Sequence, residues 1–345
     1  MDPKGKPWIR EAFLQKNIGE NLNQCLTCIR RCKIKDGSSG YCGTRVGKNG
    51  KIYTMLYGIV SSMAVSPIEK KPMFHFYPGS QWLSIGSFGC NFRCPGCQNW
   101  EIAHKSLKIL KMGSFIPPDE LVKIAENYKC KGISWTYNEP LLSIEYILDC
   151  AKICKERGLL TNLVTNGSFT EDSLSSLIPY LDSARIDLKG FSKETYRRIA
   201  HLENFEEILN SIKKIKISNI PIELITNVIP EYNDKREEIE RASKWILENL
   251  GDETPWHLTR FFPHRFLSHI PPTPVKILEL FREIAIGNGL KYVYIGNVPG
   301  HPAENTYCPN CKNVVIEREG IYLKGVYIKK GRCPFCGENL ESIKI

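Results

Sequence analysis

The stretch C-N-F-R-C-P-G-C, Cys90 to Cys97, places three cysteines at C-x3-C-x2-C spacing. It follows an apolar run, Trp82 to Phe88, that reads as a strand ending at Gly89. A tight loop leaving a strand aims three thiolates at one point. Three thiolates suit a cubane iron–sulfur cluster, in which each binds a separate iron. No near neighbour supplies a fourth cysteine, so one iron keeps an open coordination position, as reactive metal centres require. A three-cysteine zinc site is the alternative that the triplet alone leaves.

A chain of 345 residues predicts about two domains, or one large α/β domain with appendages. No apolar run is long enough to span a membrane. The N-terminus, M-D-P-K-G-K-P-W, lacks the apolar core of a signal peptide, so a cytoplasmic location is expected. Of fourteen cysteines, eleven fall in short-spaced clusters, which signals metal sites rather than a disulfide framework. The other three, Cys130, Cys150 and Cys154, read as small buried hydrophobes in or beside helices. The net charge of +10 admits nucleic-acid or acidic partners. The lysines are spread along helices, however, as on a solvated surface.

Outward from the loop, the chain divides into an N-terminal cysteine-rich region (1–60), a central α/β body (61–300) and a tail (301–345). In the first, Cys25, Cys28, Cys32 and Cys42 form C-x2-C-x3-C-x9-C. Four thiolates suit zinc first, with a second iron–sulfur cluster as the alternative. The segment 52–81 reads as ordered and extended, and its His75 as packed among aromatics. In the body, β-rich runs at 82–88, 132–136, 160–165, 184–188, 222–229, 256–262 and 291–296 alternate with helical periods at 143–157, 204–217 and 273–287. Thr273 is the expected cap of the last, with Pro274 in its first turn. This alternation predicts a parallel sheet, as a whole or partial barrel or a doubly wound sheet, with all strand C-terminal ends on one face. Polar residues gather there: Thr136 to Pro140, Thr165 to Gly167, Asp187 to Gly190, Thr226 and Asn227, Thr259 and Arg260, and Gly296 to Gly300. In the tail, C-P-N-C (Cys308, Cys311) and C-P-F-C (Cys333, Cys336), with a hairpin from Val314–Glu317 and Gly325–Ile328 between them, read as a zinc ribbon. So short a unit needs its metal for stability.

With these residues placed, the chain resembles radical S-adenosylmethionine (SAM) enzymes of the pyruvate formate-lyase-activating-enzyme-like branch, and more closely the AmmeMemoRadiSam-system radical SAM proteins. The resemblance rests on S-P-I-E-K-K-P-M-F-H-F-Y-P-G-S, G-C-N-F-R-C-P-G-C-Q-N-W-E-I, W-T-Y-N-E-P, I-D-L-K-G and G-N-V-P-G-H-x-x-E-N-T-Y-C-P-x-C. It implies a partial (β/α)6 TIM-like barrel, a 4Fe–4S cluster on Cys90, Cys94 and Cys97, and SAM chelated by the open iron. Asn138 and Glu139 stand in the place of the family's Gly-Gly-Glu element, which meets the methionyl amine. Thr165, Asn166 and Gly167 match its T-N-G, and Asp187 and Lys189 its D-L-K. Arg260, His264 and Asn297 are assigned by strand-end position. One departure is Gly96, where the family usually carries an aromatic residue near the adenine; Phe92 or Trp100 is expected to fill that space.

The implied activity is reductive cleavage of SAM to a 5′-deoxyadenosyl radical that takes a hydrogen atom from a substrate, in a pocket capped by the aromatic segment 73–82. The resemblance also implies an electron donor such as ferredoxin or flavodoxin, and it suggests Memo-like and AMMECR-type partner proteins. A glycyl-radical-enzyme activating enzyme is the near alternative, although here the extra cysteines stand at the chain's two ends. A non-catalytic zinc or iron–sulfur adaptor and a two-cluster electron carrier are the rival classes.

Overall fold

A computed structural model describes residues 5–104 and 107–345. The first four residues, part of the N-terminal stretch tested for a signal peptide, lie outside the described residues. The β-rich runs form one eight-stranded sheet: β1 (Ser62–Pro67), β2 (Gln81–Gly86), β3 (Gly132–Trp135), β4 (Leu160–Thr165), β5 (Ser183–Asp187), β6 (Ile222–Val228), β7 (Trp256–Arg260) and β8 (Val293–Gly296). Their order across the sheet follows the chain, from β1 at one edge to β8 at the other. Strands β2 to β8 are all parallel, and β1 runs antiparallel along β2. The six crossovers carry helices α1 (Pro118–Asn127), α2 (Ile144–Glu156), α3 (Glu171–Leu177), α4 (Lys193–Ala200), α5 (Glu206–Ile217), α6 (Arg236–Leu250) and α7 (Val275–Gly287). The result is the expected partial (β/α)6 barrel with a seventh parallel strand.

One apolar cluster unites strand residues such as Ile133, Leu163, Ile186, Leu224 and Leu258 with Ile147, Ile212 and Ile246 of the helices. Strand periodicity then sorts the other side chains. In β5, Ala184 and Ile186 enter this core, while the alternate Arg185 and Asp187 line a cavity inside the barrel. Cys130, Cys150 and Cys154 are buried core members, as expected.

Thr273 does not cap α7. Its hydroxyl donates to the Val228 carbonyl (2.6 Å) and accepts from the Phe261 N–H (3.0 Å), tying two strand ends together, and Pro274 takes the cap position. The segment after β1 also departs from expectation. Met73 and Phe76 pack on Ile68 and on Trp82 at the start of β2, and Phe74 packs against Tyr292 and Tyr294 at β8, so these side chains wall the barrel beside β2 and β8 rather than cap its strand ends. His75 is packed, as read from its aromatic neighbours: its Nε2 meets the Tyr294 hydroxyl at 2.6 Å. Burial lowers its pKa to about 3, so it stays neutral.

The chain's ends form smaller sheets. Before the barrel, Arg10–Glu11, Lys51–Thr54 and Arg45–Lys48 make one three-stranded sheet, and Gln15–Gly19, Leu22–Cys25 and Lys33–Lys35 another. Cys28 and Ile29 from this region join the main core. In the tail, β9 (Thr306–Tyr307), β10 (Val314–Glu319) and β11 (Tyr322–Val326) form an antiparallel sheet. The hairpin strands thus end two residues later and begin three earlier than the sequence suggested. The tail is pinned to the barrel wall: Lys344 exchanges backbone hydrogen bonds with Tyr77 (2.7 Å) and His75 (2.8 Å).

Candidate active site

Beyond the end of β2 the chain turns at Gly89, whose φ of +82° a side chain rarely adopts. A Cβ there would lie 2.5 Å from Thr44 Cγ2. This tight exit delivers Cys90, Cys94 and Cys97 to the wall of the interior cavity, of about 560 Å³. Gly89→Ala is therefore expected to destabilise the fold by about 1–3 kcal/mol, read as a lower denaturant midpoint.

Asn138 holds the loop from behind. Its Oδ1 accepts from the Ser87 N–H (3.0 Å) and its Nδ2 donates to the carbonyls of Phe88 (3.1 Å) and Gly89 (3.0 Å). Both ends of its amide are committed to this task, which the sequence did not suggest. Glu139, the next residue, is buried at the cavity and accepts from Leu141 N–H (3.1 Å), Thr165 Oγ1 (2.7 Å) and Asn166 N–H (2.9 Å). Burial raises its pKa to about 7 despite these donors, so a cation beside it would be needed to hold it fully ionised.

The T-N-G turn is tied to the cysteine loop. Asn166 Nδ2 donates to Asn91 Oδ1 (2.8 Å), Asn91 Nδ2 to Ser168 Oγ (2.6 Å), and Ser168 Oγ to Asn166 Oδ1 (2.6 Å). All three side chains are buried. Gly167, at φ +75°, leaves room for Ile186, whose Cγ2 a Cβ would approach to 2.9 Å. Asn91 and Ser168 were not singled out from sequence, because nothing local distinguishes a buried bridging Asn from a loop Asn.

On β5 and its exit, Arg185, Asp187 and Lys189 form a charged row. Asp187 Oδ1 accepts from Arg185 (2.6 Å) and Oδ2 from Lys189 (2.9 Å). The two cations hold the Asp187 pKa below its usual range against its burial, and the Asp187 carboxylate holds that of Lys189 up. Arg185 was missed, although its place two residues before Asp187 on a strand puts both on one face.

Of the residues assigned by strand-end position, Asn297 lines the cavity and donates to the Arg260 carbonyl (3.0 Å). Arg260 turns its Nε to the Thr273 carbonyl (2.9 Å). His264 has a buried Nε2 without a partner among the described residues. Against Gly96 stand Leu267 and Phe261, whose side chains a Cβ would approach to 3.0 and 3.4 Å, while Phe92 lines the cavity beside it.

The three loop thiols are half-buried along the cavity wall. Desolvation raises all three pKa values, Cys94 to about 11, and neighbouring thiols add to the rise at Cys90 and Cys94. Without metal they stay protonated, and a metal replaces those protons. In the tail, the Sγ atoms of Cys308 and Cys336 are 3.6 Å apart and those of Cys311 and Cys333 3.7 Å. That matches a tetrahedral zinc site, where Zn–S bonds of about 2.3 Å set sulfurs about 3.8 Å apart.

The fold and this three-thiol loop define a radical SAM protein. The Radical SAM superfamily profile matches residues 84–245, and the chain belongs to that superfamily. It is 40% identical over 337 residues to uncharacterized protein MJ0808 of Methanocaldococcus jannaschii, covering 97% of this chain and 100% of that one. The pyruvate formate-lyase-activating enzyme of Clostridium pasteurianum is 24% identical, over 47% of this chain and 67% of its own length. In fold, the chain is similar to the structure of Streptococcus suis SuiB bound to S-adenosylmethionine, with a TM-score of 0.50 and 12% identity over 70% of this chain and 56% of that one. The protein is an enzyme that cleaves SAM at a 4Fe–4S cluster to generate a radical. No described helix is long and apolar enough to cross a membrane.

Proposed function

We propose that Cys90, Cys94 and Cys97 hold the catalytic cluster and that the barrel cavity takes SAM and the carbon from which hydrogen is removed. The observation that carries this is the convergence of the three thiols, Glu139, Thr165, Asn166, Asp187 and Lys189 on one cavity. When bound, the reduced cluster supplies the electron that splits the S–C5′ bond of SAM into methionine and a 5′-deoxyadenosyl radical. Glu139 offers its carboxylate to the methionyl amine, and the amine in turn keeps Glu139 ionised. Thr165 and Asn166 fix that carboxylate in place, and Lys189, held beside Asp187, is a cation for the carboxylate of SAM. Glu139→Gln removes the charge but keeps the shape. It is expected to weaken SAM binding about tenfold or more, the worth of one charge-assisted hydrogen bond, measured by equilibrium binding to the reconstituted protein.

The substrate is best read as a protein, since several relatives are named as activating enzymes of other enzymes. Activation of a glycyl-radical enzyme is the second reading on the same names. Memo-like and AMMECR-type proteins are the further candidates, with a ferredoxin or flavodoxin as electron donor and a zinc ion on Cys308, Cys311, Cys333 and Cys336. The test is a panel of candidate proteins produced in deuterated form and incubated anaerobically with enzyme, reductant and SAM. Deuterium in 5′-deoxyadenosine with one candidate identifies the substrate. Transfer only from small metabolites overturns the protein-substrate reading.

A further inference from the structure

Cys25, Cys28, Cys32 and Cys42 all line one cavity, together with Thr27, Arg30, Arg45 and Asn91. Among the described residues, only Cys308, Cys311, Cys333 and Cys336 bring three or more such ligand atoms within 4.8 Å of one another. Tetrahedral zinc draws sulfurs to about 3.8 Å, whereas a cubane places each thiolate on a different iron and spreads them. Two donors around the cavity lack partners. Thr27 Oγ1 and Arg45 Nε are buried without a hydrogen bond, though Arg45 is 1% exposed and otherwise paired with Glu145. Buried donors left open at a cavity call for an acceptor there, and the sulfides and thiolates of a cluster are acceptors. The Thr44 hydroxyl already points at Cys42 Sγ (3.3 Å) and the Tyr41 N–H at Cys32 Sγ (3.4 Å), the kind of contact that tunes cluster potentials.

We infer that these four cysteines bind a second 4Fe–4S cluster, not zinc, directly behind the catalytic loop. Asn91, between the cluster-loop residues Cys90 and Phe92, lines this cavity, and Arg30 from its rim donates to the Asn91 carbonyl (2.5 Å). The inference rests on the reading of Cys90, Cys94 and Cys97 as ligands of the first cluster, and the test separates the two. Anaerobically reconstituted wild-type protein is expected to hold about eight irons and eight sulfides per chain. The triple variant Cys90→Ala/Cys94→Ala/Cys97→Ala should keep about half of each, with a reduced-state EPR signal that SAM does not alter. A triple variant that holds no iron and gains zinc at the N-terminal cysteines overturns the inference. The complementary variant Cys28→Ala/Cys42→Ala should keep the other half, with an EPR signal that SAM does alter. If its signal ignores SAM, the ligand assignment at the loop fails while the second cluster stands.

Discussion

Cys97→Ala protein, reconstituted anaerobically, is expected to lose about four irons per chain and to yield 5′-deoxyadenosine at least roughly a thousandfold more slowly than wild type. The expectation follows from thiolate count. The loop offers three sulfurs to a site of four irons, so removing one leaves two corners without a protein ligand. No described cysteine outside the two four-cysteine sets lies near enough to substitute: Cys130, Cys150 and Cys154 are packed in the core. The surrounding fold should survive, because the loop is also held by Asn138 and by the Asn91–Asn166–Ser168 ring. Circular dichroism near that of wild type would separate lost ligation from lost folding. Full iron in this variant would contradict the assignment of Cys97.

Arg318→Met is expected to destabilise the protein by about 3–5 kcal/mol, the usual cost of stranding one member of a buried ion pair. Arg318 comes from the tail but is fully buried against the barrel, facing Glu69 at 3.7 Å. Its guanidinium also donates to the Thr306 hydroxyl (2.8 Å) and the Phe74 carbonyl (2.8 Å), and it lies over the Phe74 ring at 4.1 Å. Burial already raises the Glu69 pKa, against the pull of Arg318. Without the guanidinium the carboxyl would be uncompensated. Urea unfolding followed by fluorescence measures the loss. The double variant Glu69→Gln/Arg318→Met should recover part of it, since the stranded charge is then gone. Equal stability of wild type and Arg318→Met would show that the tail contributes nothing through this contact.

The features legible in the sequence are those set by local spacing. The cysteine triplet, the seven parallel strands and the polar strand ends all follow from short-range patterns, because a strand's side-chain alternation and a loop's ligand spacing are local properties. Helices α2, α5 and α7 begin and end within about two residues of their periodic segments. What sequence hid is contact across distance. Arg318 reaches the Phe74 carbonyl from 244 residues away, and Arg45 pairs with Glu145 from 100. Leu267 covers Gly96 because the chain after β7 folds back over the loop. Thr273 looked like a helix cap by its place before Pro274, yet a buried carbonyl and N–H competed for its hydroxyl and won. The spacing of the N-terminal cysteines could not choose between zinc and a cluster, since the choice lies in how far apart the fold holds the sulfurs.

The most direct measurement is 5′-deoxyadenosine formation by anaerobically reconstituted protein given dithionite and SAM. Brown protein that releases 5′-deoxyadenosine and methionine in equal amounts is the result expected here. Protein that carries a full iron complement, binds SAM and leaves it intact under reduction would contradict the assignment of the cavity as the site of SAM cleavage.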